Sequence, residues 1–176
     1  METFHIETER LILRNLLPSD VDGMFELDSD PEVHKYLGNK PLKNISQSEK
    51  VIKLIIKQYE DYGIGRWAVI NKQTNEFMGW SGLKFNTNTL NDHTNFYDIG
   101  YRIIKRFWGK GYATESAFAG LDYGFNTLKL KTIYGITELN NQASHQVLLK
   151  IGLKHIENFY DKTSNLNLRW YNISKS

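Results

Sequence analysis

A short basic segment between a predicted strand and a predicted helix contains the residues best suited to bind an anion. It reads Arg106-Phe107-Trp108-Gly109-Lys110-Gly111-Tyr112-Ala113. Its two glycines allow a tight turn and a close approach of the backbone to a ligand. The helix that begins near Gly111 directs unpaired amides at the same loop, and Arg106 and Lys110 add positive charge. The alternative is that the glycines only form a turn and the basic side chains are only solvated.

Other patterns that carry known chemistry are absent from the sequence. The glycine loop is not a Walker loop, since no Gly-Lys-Ser/Thr follows at the required spacing, and it lacks the third glycine of the dinucleotide fingerprint. Because the chain has no cysteine, it has no thiol nucleophile, disulfide scaffold or cysteine zinc site. The five histidines have no metal-ligand spacing, so we expect no metal. Gly79-Trp80-Ser81-Gly82 is not a nucleophile elbow.

The first third of the chain, which must help to position this loop, is predicted to form one strand followed by three helices. Residues 10–14 are β-prone and flanked by polar residues. The three helices that follow have predicted starts at Ser19, at Pro31 and at a capping box formed by Ser46 and Glu49.

The rest of the chain alternates between strands and helices. Residues 66–71 and 76–85 predict a hairpin, and residues 95–104 a further strand. Apolar residues that recur every four positions from Ala113 predict an amphipathic helix. The last elements are a strand at 132–139, a helix at 142–151 and strands at 153–160 and 168–173. Hairpins combined with two crossover helices predict a mixed sheet covered by helices.

Size and composition favour an ordinary globular protein. A chain of 176 residues, of which 40% are hydrophobic, is expected to form one domain, residues 1–176, with a sizeable core. Its net charge of +2 is too balanced to favour nucleic acid as a partner. No apolar run approaches the ~18 residues needed to cross a bilayer, and the first residues lack the features of a signal peptide. We therefore expect no membrane partner and take the cytoplasm as the default compartment.

Four segments in order along the chain form a more specific pattern than the loop alone. They are Thr8-Glu9-Arg10-Leu11-Ile12-Leu13-Arg14, Asp30-Pro31-Glu32-Val33 with Tyr36-Leu37, Asp98-Ile99-Gly100-Tyr101 leading into Trp108-Gly109-Lys110-Gly111-Tyr112-Ala113-Thr114-Glu115, and Asn141-x-x-Ser144 followed by Lys150-x-Gly152-Leu153. Over nearly the whole chain the pattern resembles the GNAT acetyltransferases, most closely the branch that includes the ribosomal-protein N-terminal acetyltransferases RimJ and RimL. Arg106-x-x-Gly109-x-Gly111 is similar to that family's acyl-CoA loop, Gln/Arg-x-x-Gly-x-Gly/Ala.

The resemblance implies an α/β (α+β) GNAT fold and acetyl-CoA as co-substrate. The expected sheet is mixed, has about seven strands, is splayed near its centre and is flanked by helices. The cofactor would wedge into the split, with its pantetheine arm paired to a strand backbone and its pyrophosphate on loop amides. The implied cofactor-binding residues are Tyr101, Ile103, Arg106, Trp108, Gly109, Lys110, Gly111, Tyr112, Ala113, Asn141 and Ser144. For Asn141, the alternative is a helix N-cap.

Acetyl transfer to an amine also needs a group that stabilises the departing thiolate. Many relatives place a tyrosine seven residues after the asparagine of the closing helix, but that residue is Leu148 here. In the RimL-like branch a serine three residues after the asparagine is the substitute, which implies a catalytic role for Ser144. The alternative is that the Ser144 hydroxyl bonds to its own helix backbone.

The expected base is Asp98, because relatives often carry a carboxylate at this strand position. Strand alternation puts Asp98 on the same face as Gly100 and Arg102. The alternative is that Asp98 only forms an ion pair with Arg102. Glu115, an early helix residue, is expected to complement the helix dipole instead.

Three aromatic side chains are expected to contact the acceptor: Tyr36, Trp80 and His93. The resemblance implies an acetyl-CoA-dependent N-acetyltransferase in which the amine attacks the thioester directly. The favoured acceptor is a peptide or protein N-terminal α-amine. The alternatives are a small amine (a polyamine, amino sugar or antibiotic) and a non-catalytic acyl-CoA-binding module. Relatives are monomers or dimers, so either a monomer or a homodimer is expected.

Overall fold

One mixed sheet with helices on both faces contains every strand in residues 4–175, the part of the chain that the computed structural model describes. The strands are β1 His5–Glu7, β2 Leu11–Asn15, β3 Trp67–Asn71, β4 Phe77–Asn86, β5 Phe96–Ile103, β6 Thr132–Glu138, β7 Lys154–Asp161 and β8 Leu166–Ser174. The helices are α1 Val21–Ser29, α2 Pro31–His34, α3 Ile45–Tyr62, α4 Tyr112–Asp122 and α5 Gln142–Lys150. A π-helical segment, Tyr123–Thr127, follows α4.

The sheet has the order β1-β2-β3-β4-β5-β6-β8-β7, and its neighbouring strands are antiparallel except for β5 and β6. The mixed sheet and flanking helices confirm the predicted fold class. The expected strand number, about seven, is too low by one, because β1 was missed. A strand of three residues is too short to show the two-residue alternation by which strands are recognised.

Strands β5 and β6 diverge near the middle of the sheet. Within residues 4–175, a single register pair, Asp98 opposite Tyr134, joins these two parallel strands. Strand β5 stays paired with β4 over its whole length, so beyond Asp98 it presents an edge without a β6 partner. This split, which we define as the gap between β5 and β6 beyond Asp98 and Tyr134, is the predicted splay of the sheet.

Strand alternation separates the side chains around the split onto two faces. One face carries α1 and presents Trp80, Lys84, Asp98 and Arg102. The opposite face carries α4 and α5 and presents Tyr101, which contacts Ser144 at the start of α5. We refer to these two surfaces as the α1 face and the α4 face.

Helix α3 begins earlier than the sequence predicted. Its N-cap is Asn44, whose side chain accepts a hydrogen bond from the amide of Gln47, while the Gln47 side chain accepts from the amide of Asn44. The predicted capping box of Ser46 and Glu49 is therefore wrong. The two boxes have the same spacing, and asparagine caps helices as well as serine does, so the local sequence did not separate them.

Candidate active site

The glycine loop between β5 and α4 turns through two left-handed residues. Gly109 has a φ of 75°, and Gly111, which caps α4, has a φ of 82°. Side chains are disfavoured at both angles, which accounts for the glycines. The amides in the first turn of α4 have no carbonyl partner within the helix, and they point into the loop. The loop therefore has the backbone geometry of an anion site.

A residue from the start of the chain holds this loop in place. Arg10 donates from Nη1 to the Lys110 carbonyl at 3.0 Å and from Nε to the Glu115 carboxylate at 2.7 Å. Its guanidinium also lies 4.4 Å from the centre of the Tyr112 ring. Burial raises the pKa of Glu115, but hydrogen bonds from Thr8 and Arg10 outweigh it and keep that pKa below its usual value. Glu115 thus anchors β2 to the loop.

The other side chains of the loop point in different directions. Arg106 forms an ion pair with Glu26 of α1, which neutralises much of the charge that the sequence predicted for the anion site. The Trp108 indole donates to the Ile103 carbonyl at 2.6 Å and so closes the turn after β5. Lys110 is exposed.

Ser144 lies at the start of α5 and meets a tyrosine from across the split. The Tyr101 hydroxyl donates to the Ser144 carbonyl at 2.9 Å and lies 3.0 Å from Ser144 Oγ. Asn141 accepts from the Ser144 amide at 3.1 Å, which is the N-cap role that the sequence left open. Burial raises the pKa of Tyr101, so its hydroxyl stays protonated. The position expected for a tyrosine is filled by Leu148, which is 1% exposed in the core.

Asp98 is part of a buried hydrogen-bond network on the α1 face. Its Oδ2 accepts from Arg66 Nη2 at 2.5 Å, and its Oδ1 accepts from Asn86 Nδ2 at 2.6 Å. The alternative that pairs Asp98 with Arg102 is wrong, because Arg102 donates to Asp28 of α1 at 2.6 Å. The ionic partner of Asp98 is Arg66, so the two roles that stay open are a catalytic base and an ion-pair partner of Arg66.

Arg66 is a site residue that the sequence did not reveal. Its guanidinium crosses β4 and β5 and also donates to the carbonyls of Gly82 and Asp98. A Cβ on Gly100 would lie 2.7 Å from Arg66 Nη2, so the glycine makes room for the arginine. The hydrogen-bond partners of the Arg66 guanidinium lie 16 and 32 residues away in the chain, beyond the reach of any local motif.

An aromatic cluster borders the other side of the split on the α1 face. The His93 ring lies 5.1 Å from Tyr134 and 4.8 Å from Trp170, centre to centre. Asn91 and Asp92 both have positive φ, so they form a tight turn that returns His93 to the sheet. Asparagine and aspartate tolerate this conformation well, and the asparagine-rich loop was the available sequence signal.

The predicted acceptor contacts do not all come together. Trp80 and His93 lie on the α1 face on either side of Asp98. Tyr36 follows α2 and is half-buried, with Lys35 Nζ 5.5 Å from its ring centre. The α1 face therefore has an aromatic border on both sides of its buried ion pair.

Comparison with known proteins decides the family. The chain matches the model of the acetyltransferase (GNAT) domain over residues 10–154. The chain belongs to the GNAT acetyltransferase family. This GNAT protein is therefore an N-acetyltransferase, and GNAT enzymes use acetyl-CoA as co-substrate. It is similar to the uncharacterized N-acetyltransferase p20 of Bacillus licheniformis, with 34% identity over 148 residues, which cover 84% of this chain and 80% of the relative.

Solved structures share the fold of this GNAT enzyme. A GNAT-family acetyltransferase from Bacillus anthracis superposes with a TM-score of 0.79 at 26% identity and covers 97% of this chain and 98% of its own. The apo form of RimL, a ribosomal L7/L12 alpha-N-protein acetyltransferase, gives a TM-score of 0.78 at 17% identity, over 98% and 95% of the two chains. At that identity the likeness to RimL shows the fold alone.

The described part of the chain offers neither a metal centre nor a membrane-spanning helix. Residues 4–175 contain no group of three or more His, Asp or Glu side chains arranged to hold a metal ion. None of the helices in that part of the chain is long and apolar enough to cross a membrane.

Proposed function

We propose that this enzyme acetylates a primary amine of low pKa, most favourably a peptide or protein N-terminal α-amine, as the RimJ/RimL branch does. The observation that supports this most is the two-sided split. Asp98 lies on the α1 face, and Ser144 lies on the α4 face. The amine attacks the thioester directly, a C–N bond replaces the C–S bond, and no covalent enzyme intermediate forms.

The split is the proposed site of acetyl-CoA. The pyrophosphate lies on the loop amides from Trp108 to Ala113, where two left-handed glycines keep the approach open. The pantetheine arm runs along the edge of β5, over Tyr101 and Ile103, where β6 has diverged. Unpaired strand backbone is a natural partner for the amides of such an arm. With the pyrophosphate at the loop, the acetyl end reaches towards Asp98.

Ser144 is the proposed stabiliser of the departing thiolate. A serine hydroxyl is too weak an acid to give up its proton, but it can donate a hydrogen bond to sulfur as charge develops. The Tyr101 hydroxyl, which donates to the Ser144 carbonyl, fixes the first turn of α5 and so orients the serine. Asn141 supports the same turn from the other side and remains a proposed pantetheine contact.

Asp98 is the proposed proton acceptor, acting through water. Arg66 and Asn86 hold its two oxygens in place, and any carboxylate is a weak base. An α-amine has a pKa of ~8 and a lysine side chain ~10.4, so deprotonation at pH 7 costs about 1.4 and about 4.6 kcal/mol respectively. A weak base can more readily deprotonate the amine for which this cost is smaller, which favours an α-amine over a lysine side chain. Small amines of low pKa are the alternative acceptors.

The partners and setting follow the same proposal. The enzyme takes acetyl-CoA and an amine, needs no metal, and works in the cytoplasm as a monomer or homodimer. Trp80, His93 and Tyr36 are its proposed acceptor contacts, and the first two already lie beside Asp98 on the α1 face.

The test is acetylation of a peptide that has both a free N-terminus and an internal lysine. Because the protein has no cysteine, the thiol of released CoA can be followed with a thiol reagent without protein background. Tandem mass spectrometry then locates the acetyl group, which we expect on the α-amine. The matched control is the same peptide with a blocked N-terminus, for which we expect no product. Acetylation of the lysine alone would contradict the proposed acceptor.

A further inference from the structure

We propose that the acceptor carries an anionic group close to its amine, such as an acidic side chain beside a peptide N-terminus, and that Lys84 and Arg102 recognise this group. The proposal rests on the proposed function and names its acceptor more closely. It follows from the charges that the α1 face presents and from those that it buries.

The first observation is that two arginines flank the Trp80 ring. Their guanidinium carbons lie 5.4 Å (Arg66) and 5.0 Å (Arg102) from the ring centre. Each arginine has a carboxylate partner, and both carboxylate side chains are covered: that of Asp28 is 4% exposed and that of Asp98 is 11% exposed. The Arg102 side chain, by contrast, is 22% exposed. The surface beside Trp80 therefore shows a guanidinium, with the carboxylates beneath it.

The second observation is a half-buried lysine without a direct partner. Lys84 lies opposite Asp98 in the register of β4 and β5. Both oxygens of Asp98 are already occupied by Arg66 and Asn86, and the Lys84 ammonium makes no hydrogen bond or ion pair with any of residues 4–175. Burial lowers the pKa of Lys84, and the nearby Asp98 charge only partly opposes this effect. A ligand anion at this position would supply the missing partner.

The third observation is that three acidic residues on and beside α1 are already engaged. Glu26 pairs with Arg106, Asp28 pairs with Arg102, and the Asp30 side chain caps α2. A polycationic acceptor such as a polyamine needs free carboxylates, and these three do not offer them. Along β4 and β5 on the α1 face, three cations (Arg66, Arg102 and Lys84) lie with two carboxylates, Asp28 and Asp98, so the local charge favours an acceptor that brings a negative group.

The experiment compares kcat/KM for matched peptides that begin with serine and differ only at the second residue, which is aspartate, asparagine or lysine. Spermidine is the fourth acceptor. We expect kcat/KM for the aspartate peptide to be about five times that for the asparagine peptide, which is the effect of one partly screened charge pair. The values of kcat/KM for the lysine peptide and for spermidine should be lower than that for the asparagine peptide. Added salt should reduce these differences in kcat/KM.

Two variants assign the preference to this site. In Lys84→Gln, kcat/KM for the aspartate peptide should fall about fivefold, with little change for the asparagine peptide. The matched control is Lys53→Gln, an exposed lysine on α3, which should keep the wild-type preference. Acetyl-CoA affinity is measured for both variants, so that a loss of folding is not mistaken for a loss of recognition.

The outcomes separate this inference from the proposed function. Equal or better turnover of the lysine peptide or spermidine, or an unchanged preference in Lys84→Gln, would overturn the charge inference and leave the N-acetyltransferase proposal standing. If no CoA thiol were released with any of these amines, the proposed function would be wrong, and the inference with it.

Discussion

The hydroxyls of Ser144 and Tyr101 meet across the split, and this contact sets the chemistry expected of the α4 face. A lone serine at a helix start rotates freely and often bonds to its own helix backbone. Here the 3.0 Å contact with Tyr101 and the capped amide hold Ser144 in one place. Because the tyrosine gives its only hydrogen to the Ser144 carbonyl, Ser144 Oγ donates to the tyrosine oxygen, and we propose that it turns this hydrogen to the thiolate as charge develops.

Replacing Ser144 by alanine should therefore slow turnover and leave cofactor binding nearly unchanged. In Ser144→Ala we expect kcat to fall about tenfold or more, since the lost bond strengthens only in the transition state. The dissociation constant of acetyl-CoA, measured by calorimetry, should stay close to that of the wild type. The comparison variant, Tyr101→Phe, keeps the serine hydroxyl, so its kcat should fall less than that of Ser144→Ala. Full turnover in Ser144→Ala would leave Ser144 with a structural role only.

The role of Asp98 can be separated from that of its ion pair by pH. In Asp98→Asn, turnover should fall at pH 7 and recover near pH 9, where an α-amine of pKa ~8 is about 90% neutral rather than about 10%. The control is Asp22→Asn, an exposed residue of α1, which should keep the wild-type profile. If Asp98→Asn also kept the wild-type pH–rate profile, Asp98 would be only the ionic partner of Arg66.

At the scale of elements, the loop between β5 and α4 depends on contacts made across the whole chain. Gly109 and Gly111 set its turn, and Arg10 holds it through Lys110 and Glu115. The glycines and their position before a helix were visible in the sequence. The clamp from Arg10 was not, because a contact across about a hundred residues depends on how β2 lies beside α4.

A side chain at Gly111 should prevent cofactor binding. In Gly111→Val the β-branched residue is strained at a φ of 82° and obstructs the approach of the pyrophosphate. We expect a loss of stability of about 1–2 kcal/mol together with a large loss of CoA affinity by calorimetry. The matched control is Gly63→Val at the end of α3, which carries the same strain at a φ of 68° away from the loop. Unchanged CoA affinity in folded Gly111→Val would contradict the loop assignment.

The elements were predicted well where the signal was local and less well where it was not. Hydrophobic periodicity located the strands and helices around the split, because alternation is a property of neighbouring residues. It did not distinguish Asn44 from Ser46 as a cap, and it missed the short β1. Asp98 was visible as a carboxylate on a strand, but its partner depended on the register of β4 and β5, which brings Arg66 and Asn86 to it.

At the scale of the molecule, we propose that the split divides the reaction between two faces of one sheet. In this proposal the amine approaches from the α1 face, beside Asp98 and Trp80, and the thiolate leaves towards Ser144 on the α4 face. The family resemblance implied the split and the candidate residues Asp98 and Ser144, but not their places on opposite faces. The charge of the α1 face was not available in the sequence, because scattered acids such as Glu26 and Asp28 reveal their partners only after folding.

A crystal structure of the enzyme with CoA tests this division most directly. We predict that the pantetheine arm lies between β5 and β6, with its sulfur within hydrogen-bond distance of Ser144 Oγ. The cleft beside the sulfur should open onto the α1 face, next to Trp80 and Lys84. A structure in which the arm lies outside the split, or in which the sulfur faces away from Ser144, would contradict the mechanism.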